Sequence, residues 1–197
     1  MADKQEDAED FAAINTPGYK PAAGKTVDEY RSLDAGDESL ARWKASLGLD
    51  AATSGDKSVP KLTLLTLELT SPTLPEGKSL EIDLSSKEKR EYFEKNAIQV
   101  KEGASYKAII TYKVNHSIVT GARYIQVIKR GPFKEKVEAM LGSYSADPNP
   151  RSTEVISDEF PSGLVARSTY TVTSKVIDID NQVWLDWKWQ LKIAKDW

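Results

Sequence analysis

The chain has 197 residues, no cysteine and one histidine, and these absences exclude several kinds of chemistry. Without cysteine there can be no disulfide, no thiolate metal ligand and no cysteine nucleophile. The one histidine, His116, stands beside a predicted turn, where a solvated surface role is far more common than catalysis. The sequence also contains no glycine-rich phosphate loop, no zinc-ligand spacing and no nucleophile elbow. It therefore predicts a protein that is not an enzyme and that needs no cofactor or metal.

Long apolar runs are missing as well. No run of about 18 apolar residues is present, so the sequence offers no transmembrane helix. Residues 1–7 are acidic and lack the apolar segment of a secretory signal. We therefore expect a cytoplasmic protein that does not insert stably into a membrane.

The formal net charge is −3, and charge is distributed unevenly along the chain. Residues 1–59 contain 12 acidic and 7 basic side chains, whereas residues 60–197 contain 18 acidic and 20 basic ones. The basic residues are scattered rather than gathered into the stripe that nucleic-acid binding usually requires, so no nucleic-acid partner is expected. The acidic N-terminal part instead favours a basic protein partner.

Residues 1–59 are predicted to form a flexible N-terminal arm that contains a short helical hairpin. Thr26 and Glu29 have capping-box spacing, which predicts a helix near residues 26–33. Asp37 is a second candidate N-cap and would begin a helix over residues 38–47. Helices this short are not stable alone in water, so the hairpin needs a surface on which to dock.

From residue 60 onwards, apolar residues alternate with polar ones in short segments spaced as in antiparallel sandwiches. No strand–helix alternation is present, so we expect an all-β, antiparallel β-sandwich over residues 60–197. A change of apolar phase within residues 62–69 indicates either a β-bulge or a strand that is apolar on both faces.

The last strand, residues 183–193, is the most informative segment. Its odd positions are apolar and include Trp187 and Trp189, whereas its even positions are mostly polar, so one face is buried. The two indoles either interdigitate with small residues in a solid core, or form one wall of a cavity between the sheets. The pattern leaves both possibilities open.

Short motifs spread over residues 19–197 also carry a resemblance to a known family. They are Tyr19-Lys20-Pro21, Leu33-Asp34, Asp37-Glu38-Ser39-Leu40, Leu80-Glu81-Ile82-Asp83-Leu84, Lys101-Glu102-Gly103 with Tyr106, Val114-Asn115, Ile118-Val119, Gly121, Tyr124-Ile125-Gln126, Gly142-Ser143-Tyr144, Pro161 with Gly163, Ala166-Arg167, Trp187-Lys188-Trp189 and Lys195-Asp196-Trp197. In this order, they resemble the Rho GDP-dissociation inhibitors.

The resemblance implies an immunoglobulin-like β-sandwich and a regulatory function. Such proteins bind prenylated Rho/Rac-type small GTPases in the GDP form, inhibit GDP release and extract the GTPase from membranes into the cytosol. They hold the geranylgeranyl or farnesyl group of the partner between the two sheets. A monomer is also expected.

Particular residues acquire roles through the same resemblance. The implied prenyl-binding residues are Leu69, Ile98, Tyr106, Ile118, Val127, Leu141, Val165 and Trp189. The implied GTPase-binding residues are Asp37, Ser39, Leu40, Trp43, Asp158, Glu159 and Asp180. Asp158 and Glu159 would face the basic tail of the GTPase, and Trp43 stands where the family often has tyrosine.

Two alternatives use the same fold. One is a general prenyl- or acyl-binding carrier without GTPase specificity, which would not need the helical hairpin. The other is an immunoglobulin-like interaction module with a solid core, which would bind no isoprenoid.

Overall fold

The computed structural model describes Phe11, Ser32, residues 36–46 and residues 58–197. In chain order its elements are α1 (Glu38–Ser46), β1 (Leu62–Thr70), β2 (Glu81–Asp83), α2 (Lys87–Lys95), β3 (Ile98–Lys101), β4 (Ser105–Val114), β5 (Val119–Arg130), β6 (Phe133–Tyr144), β7 (Arg151–Glu159), β8 (Thr169–Ile177) and β9 (Val183–Ala194). No helix within these ranges has both the length and the apolar character needed to cross a membrane.

The strands form two sheets, ordered β2-β1-β4-β7 and β3-β9-β8-β5-β6. The predicted all-β, immunoglobulin-like sandwich is therefore confirmed. One pairing departs from the antiparallel expectation, because β3 runs parallel to β9. Strands β4 to β8 lie between β3 and β9 in the chain, so no hairpin joins the two strands and forces them to be antiparallel.

The change of apolar phase in β1 is a bulge, the first of the two predicted alternatives. The register of β1 against β4 shifts between Leu64 and Thr66. Leu62 and Leu64 are buried before the shift, and Leu67 and Leu69 are buried after it. The extra residue therefore lets both halves of one strand direct leucines into the core.

Helix α1 begins with the predicted cap. The Asp37 carboxylate oxygen Oδ1 accepts hydrogen bonds from the backbone N–H groups of Ser39, at 2.8 Å, and Leu40, at 3.2 Å. The described part of the helix covers Glu38–Ser46, and Leu47, the last residue of the predicted helix, lies outside the described residues. The predicted helix near residues 26–33 lies outside the described residues, except for Ser32. The division into an arm over residues 1–59 and a body over residues 60–197 stays a prediction.

Strand β6 is much longer than its sequence pattern indicates. The pattern alone predicts a short strand over residues 140–144, whereas β6 extends over Phe133–Tyr144 and pairs with β5 from Arg130 and Phe133 onwards. Four of its first six residues are lysine or glutamate, and Glu135 interrupts the apolar inner face between Phe133 and Val137, which hides the alternation. A tight turn at Gly131, with a backbone φ of 53°, joins the two strands.

Strand β5 is apolar on both faces. Tyr124 belongs to the core between the sheets. Ile125 and Val127, one and three positions further along, instead form a separate cluster with Phe11 and Ile177 on the outer face of the five-stranded sheet. Strand β9 has the predicted pattern, with Trp187, Trp189, Leu191 and Ile193 all buried in the core.

Candidate functional site

A cavity of about 50 Å³ lies between the two sheets. It is at the end of the sandwich where β8 begins and β9 ends, and it opens between β6 and β7, each of which is the last strand of its sheet. Its walls are mostly apolar and aromatic. The lining consists of Tyr106, Ile128, Phe133, Glu135, Val137, Asp158, Glu159, Phe160, Pro161, Tyr170, Leu191 and Ile193.

Aromatic pairs form much of the wall. The rings of Tyr106 and Phe160 stack with centroids 3.9 Å apart and an angle of 5° between their planes. Phe133 meets Tyr170 edge to face with a centroid distance of 6.2 Å. Burial, and secondarily the charges of Asp158 and Glu135, raise the pKa of Tyr106 to about 12, so its hydroxyl stays neutral at physiological pH.

The rim of the cavity is acidic. Glu135 of β6 and Asp158 and Glu159 of β7 are exposed and stand on opposite sides of the opening. Negative charge around an apolar opening attracts a group that combines an apolar part with a cationic one.

The loop between β7 and β8 borders the rim and is held at two points. The guanidinium of Arg167 donates to both carboxylate oxygens of Glu102, one of them at 2.9 Å, and the Gly163 N–H also donates to Glu102, at 2.8 Å. On the other side, Arg130 donates to the Val165 carbonyl oxygen. These anchors fix the loop backbone while the Val165 side chain remains 81% exposed.

A buried polar network lies deeper between the sheets. The Tyr124 hydroxyl donates to Gln126 Oε1 at 2.6 Å and lies 3.0 Å from Ser174 Oγ, which accepts from Trp189 Nε1 at 3.1 Å. Gln126 and Trp189 each precede a cavity residue by two positions, Ile128 on β5 and Leu191 on β9. Residues two positions apart on a strand share a face, so the network lies two residues further into the sandwich than the cavity.

Of the predicted prenyl-binding residues, Tyr106 lines the cavity. Leu69, Ile98, Leu141 and Trp189 are buried in the same core between the sheets but are not part of the cavity wall. The Trp189 indole is packed and hydrogen-bonded. The solid-core interpretation therefore describes this part of the sandwich.

The other three predicted prenyl-binding residues lie elsewhere. Val127 packs with Ile125 and Ile177 on the outer face of the sheet, so it does not line the space between the sheets. Strand β5, which carries Val127, is apolar on both faces, and its residue that faces the cavity is Ile128. Ile118 is half-buried just before β5, at the opposite end of the sandwich, and Val165 is exposed in the rim loop.

The predicted GTPase-binding residues fall into three separate places. Four of them belong to the start and body of α1: Asp37, Ser39, Leu40 and Trp43. Ser39 is exposed and Leu40 is half-buried, and the Trp43 side chain is not among the described side chains. Asp158 and Glu159 are at the cavity rim. Asp180 is in the β8–β9 turn, at the end opposite the cavity.

Several cavity residues were missed by sequence reasoning. They are Ile128, Phe133, Glu135, Val137, Phe160, Pro161, Tyr170, Leu191 and Ile193. For two of them a signal existed, because Leu191 and Ile193 continue the buried face of Trp189 at spacings of two.

Asp178 and His116 are side chains capable of acid–base chemistry, but both have structural roles. Asp178 Oδ1 accepts from the backbone N–H groups of Asp180 and Gln182, both at 2.9 Å, so turn chemistry explains this aspartate. Burial raises the pKa of Asp178. The His116 ring hydrogen-bonds to the Val59 carbonyl oxygen at 2.8 Å. Over residues 58–197 and the shorter described segments, no group of three or more potential ligands could hold a metal ion.

Fold and site together define a β-sandwich binding protein with an apolar cavity between its sheets and an acidic opening. The chain belongs to the RHO protein GDP dissociation inhibitor family, whose family model matches residues 2–196. Members of this family are regulatory inhibitors, so the prediction that the chain is not an enzyme is confirmed.

Individual relatives cover nearly the whole chain. It is 35% identical over 208 residues to Rho GDP-dissociation inhibitor 1 of Homo sapiens, covering 100% of this chain and 99% of the relative. It is 38% identical to the Rho GDP-dissociation inhibitor of Saccharomyces cerevisiae, covering 99% of this chain and 100% of the relative. It is 31% identical to the Rho GDP-dissociation inhibitor of Schizosaccharomyces pombe, covering 96% of this chain and 92% of the relative.

Proposed function

We propose that this protein binds prenylated Rho-family GTPases in their GDP form, slows GDP release and carries them from membranes into the cytoplasm. The observation that carries the proposal is the apolar, aromatic-walled cavity between the sheets with Glu135, Asp158 and Glu159 at its opening. The cavity would receive the geranylgeranyl or farnesyl tail. The acidic rim would receive the basic segment to which such a tail is attached.

The cavity must widen to accept a whole isoprenoid. Its volume is about 50 Å³, whereas pockets for small organic ligands usually have volumes of about 300–1,000 Å³. The opening lies between β6 and β7, which belong to different sheets, so separating them breaks no ladder of backbone hydrogen bonds. What closes the space there is side-chain packing, including the stacked rings of Tyr106 and Phe160.

The polar network provides a physical limit on how deep the tail can go. Gln126 Oε1 and Ser174 Oγ both have partners within the network, and leaving such buried groups unpaired costs about 1–3 kcal/mol each. An isoprenoid that entered past Ile128 and Leu191 would have to separate these groups. The tail would therefore occupy the outer part of the core, widened by movement of the edge strands.

The energetics explain why the rest of the protein is needed. Burying a twenty-carbon tail at about 0.8 kcal/mol per carbon gives a gross gain of about 16 kcal/mol, as an upper bound. The tail gains a similar amount from the bilayer that it leaves, so its transfer from membrane to cavity is close to neutral. Contacts between the two proteins would then decide the direction of transfer.

Helix α1 is the candidate for those contacts. Ser39 and Leu40 lie in its first turn, and the N-cap residue Asp37, just before the helix, holds this turn in helical form. Packing of the helix against the switch loops of the GTPase would slow GDP release, because nucleotide exchange requires those loops to open. We propose that the complex contains one copy of this chain.

The experiment uses the full chain and a Rho-family GTPase loaded with fluorescent GDP, either geranylgeranylated on liposomes or unprenylated in solution. The proposal predicts that the chain moves the prenylated GTPase into the supernatant and slows GDP release. A prenylated GTPase of the Ras type is the matched control and should stay on the liposomes. Equal extraction of both would support the general prenyl carrier instead, and extraction of neither would contradict the proposal.

A further inference from the structure

The outer face of the five-stranded sheet has an apolar patch where a sandwich usually has polar side chains. Ile125, Val127 and Ile177 are only 0%, 1% and 3% exposed, although they point away from the other sheet. Register explains why they lie together, since β5 and β8 are neighbours in the sheet and Arg123 is paired with Ile177. Side chains on an outer face can be buried this completely only if another part of the protein packs over them.

Phe11 is part of that cover. Its ring belongs to the same apolar cluster, and the residue is 9% exposed. The Lys175 ammonium stands 4.4 Å from the centroid of the ring, which is the geometry of a cation–π interaction. A residue from the N-terminal part of the chain is therefore seated on the outer face of the sheet, on the far side from the cavity.

Arg123, on the same face, is a buried cation with incomplete pairing. Its side chain is 5% exposed and donates through Nη1 to Glu138 at 2.5 Å. Its Nε and Nη2 groups are buried and have no hydrogen-bond partner among the described residues. Because a buried unpaired donor is costly, these two N–H groups call for an additional carboxylate or carbonyl oxygen.

The charges of the residues before Phe11 and of the outer face of the five-stranded sheet are complementary. Five of the ten residues before Phe11 are acidic, namely Asp3, Glu6, Asp7, Glu9 and Asp10, and one is basic. By register and alternation, the outer face carries Lys129, Lys134, Lys136, Lys175, Lys188 and Lys192. It also carries Glu138 and Asp186, which pair with Lys136 at 3.5 Å and Lys175 at 3.1 Å. Cations outnumber anions on this face.

We propose that the outer face of the five-stranded sheet is a docking site for an acidic segment that ends in an aromatic residue, and that residues 1–11 of the same chain occupy it. Phe11 is the apolar anchor on Ile125, Val127 and Ile177. The carboxylates before it lie over the lysines and supply an acceptor for Arg123. The site uses the opposite face of the sheet from the cavity, so it does not depend on lipid binding.

The chain contains no cysteine, so an Ala8→Cys substitution gives a unique attachment point for a nitroxide spin label. Isoleucine methyl signals of the full-length protein then report which face the label approaches. We expect the label to broaden the methyl signals of Ile125 and Ile177 and to leave those of Ile128 and Ile193, which face the cavity, sharp. Adding Phe11→Ala should abolish the broadening, with the Ile128 and Ile193 signals unmoved as evidence of an intact core.

Two matched lysine substitutions test whether the positive charge of the outer face contributes to docking. Lys175→Glu should weaken the broadening severalfold, whereas Lys113→Glu, on the outer face of the other sheet, should leave it unchanged. Broadening that survives Phe11→Ala, or that is absent from the starting protein, would overturn the proposal. So would broadening in a mixture of spin-labelled chains with isotope-labelled chains that lack the nitroxide, because the occupant would then be a second copy.

Discussion

Filling the cavity without disturbing the fold gives the sharpest test of how it is used. Val137 lines the cavity from the edge strand β6 and is half-buried. In Val137→Phe the larger ring would project into a space of about 50 Å³. The added ring would occupy the entry path of an isoprenoid, while the half-buried position at a sheet edge leaves room for the substitution to be tolerated.

The size of the effect follows from the apolar surface that can no longer be buried. Each excluded carbon costs about 0.8 kcal/mol, so keeping one five-carbon isoprene unit in water costs about 4 kcal/mol, nearly a thousandfold in Kd. Binding of an unprenylated GTPase should change little, because no lipid is involved. Calorimetric titration or fluorescence anisotropy with both forms of the partner measures the two affinities.

Met140→Phe provides the matched control. Met140 is on the same strand but on the opposite face, where it is 60% exposed. This variant adds a ring at a similar position without approaching the cavity, and both affinities should stay as they were. The reasoning is refuted if Val137→Phe weakens the prenylated and unprenylated partners equally, or if the prenylated partner loses less than about tenfold, equivalent to 1.4 kcal/mol.

Three further predictions concern the network, the rim loop and the helix cap. Ser174→Ala should lower the free energy of unfolding by about 1–3 kcal/mol in chemical denaturation, because it leaves the buried Trp189 Nε1 donor without its acceptor. Its neighbour Thr173→Ala should change the free energy of unfolding by less than about 0.5 kcal/mol. Hydrogen bonds from Arg167 and from the Gly163 N–H lower the pKa of Glu102 below the ordinary carboxyl value. The stabilisation that Glu102 gives the loop is therefore complete above the ordinary carboxyl pKa, and it is lost as the pH falls through the lower pKa of the folded state. Proteolysis of the loop should accelerate in that acidic range, and Glu102→Gln should give fast cleavage already at neutral pH; a Gln variant as resistant as the parent would count against the anchor. Asp37→Ala should weaken inhibition of GDP release roughly fivefold through loss of a cap worth about 1 kcal/mol, whereas Asp37→Asn should keep it; equal losses in both would mean that the charge itself contacts the partner.

Strand β9 shows what the sequence determines well. Alternation over residues 183–193, broken only by Trp184, predicts both the element and its buried face, and the structure has Trp187, Trp189, Leu191 and Ile193 on one side. Alternation could not say whether the indoles form a cavity wall, because that depends on what the opposite sheet places against them. In the structure the cavity begins at Leu191, beyond Trp189.

Strands β5 and β6 show why part of the site was not predictable. Strand β5 is apolar on both faces because its outer face is covered, so the pattern could not distinguish the inward Ile128 from the outward Val127. Strand β6 is mostly charged in its first half, since an edge strand beside the opening is exposed on both sides. The residues of the cavity wall come from separate segments that only the two-sheet topology brings together.

Asp180 and Ile118 illustrate a different limit. Both are at the end of the sandwich opposite the cavity, separated from it by the nine residues of β8, or about 30 Å of extended strand. Sequence reasoning can nominate such residues by resemblance but cannot measure the distance between them. A partner that touches Asp180 as well as the rim must therefore extend along much of the sandwich.

The most direct test of the central claim is a methyl-detected NMR titration of the full chain with S-geranylgeranyl cysteine methyl ester. The four relevant isoleucines are divided between the two faces of one sheet, with Ile128 and Ile193 at the cavity and Ile125 and Ile177 on the outer patch. The account predicts that saturating ligand shifts the Ile128 and Ile193 signals and leaves those of Ile125 and Ile177 in place. Absence of any shift, or shifts confined to the outer patch, would contradict binding of the isoprenoid between the sheets.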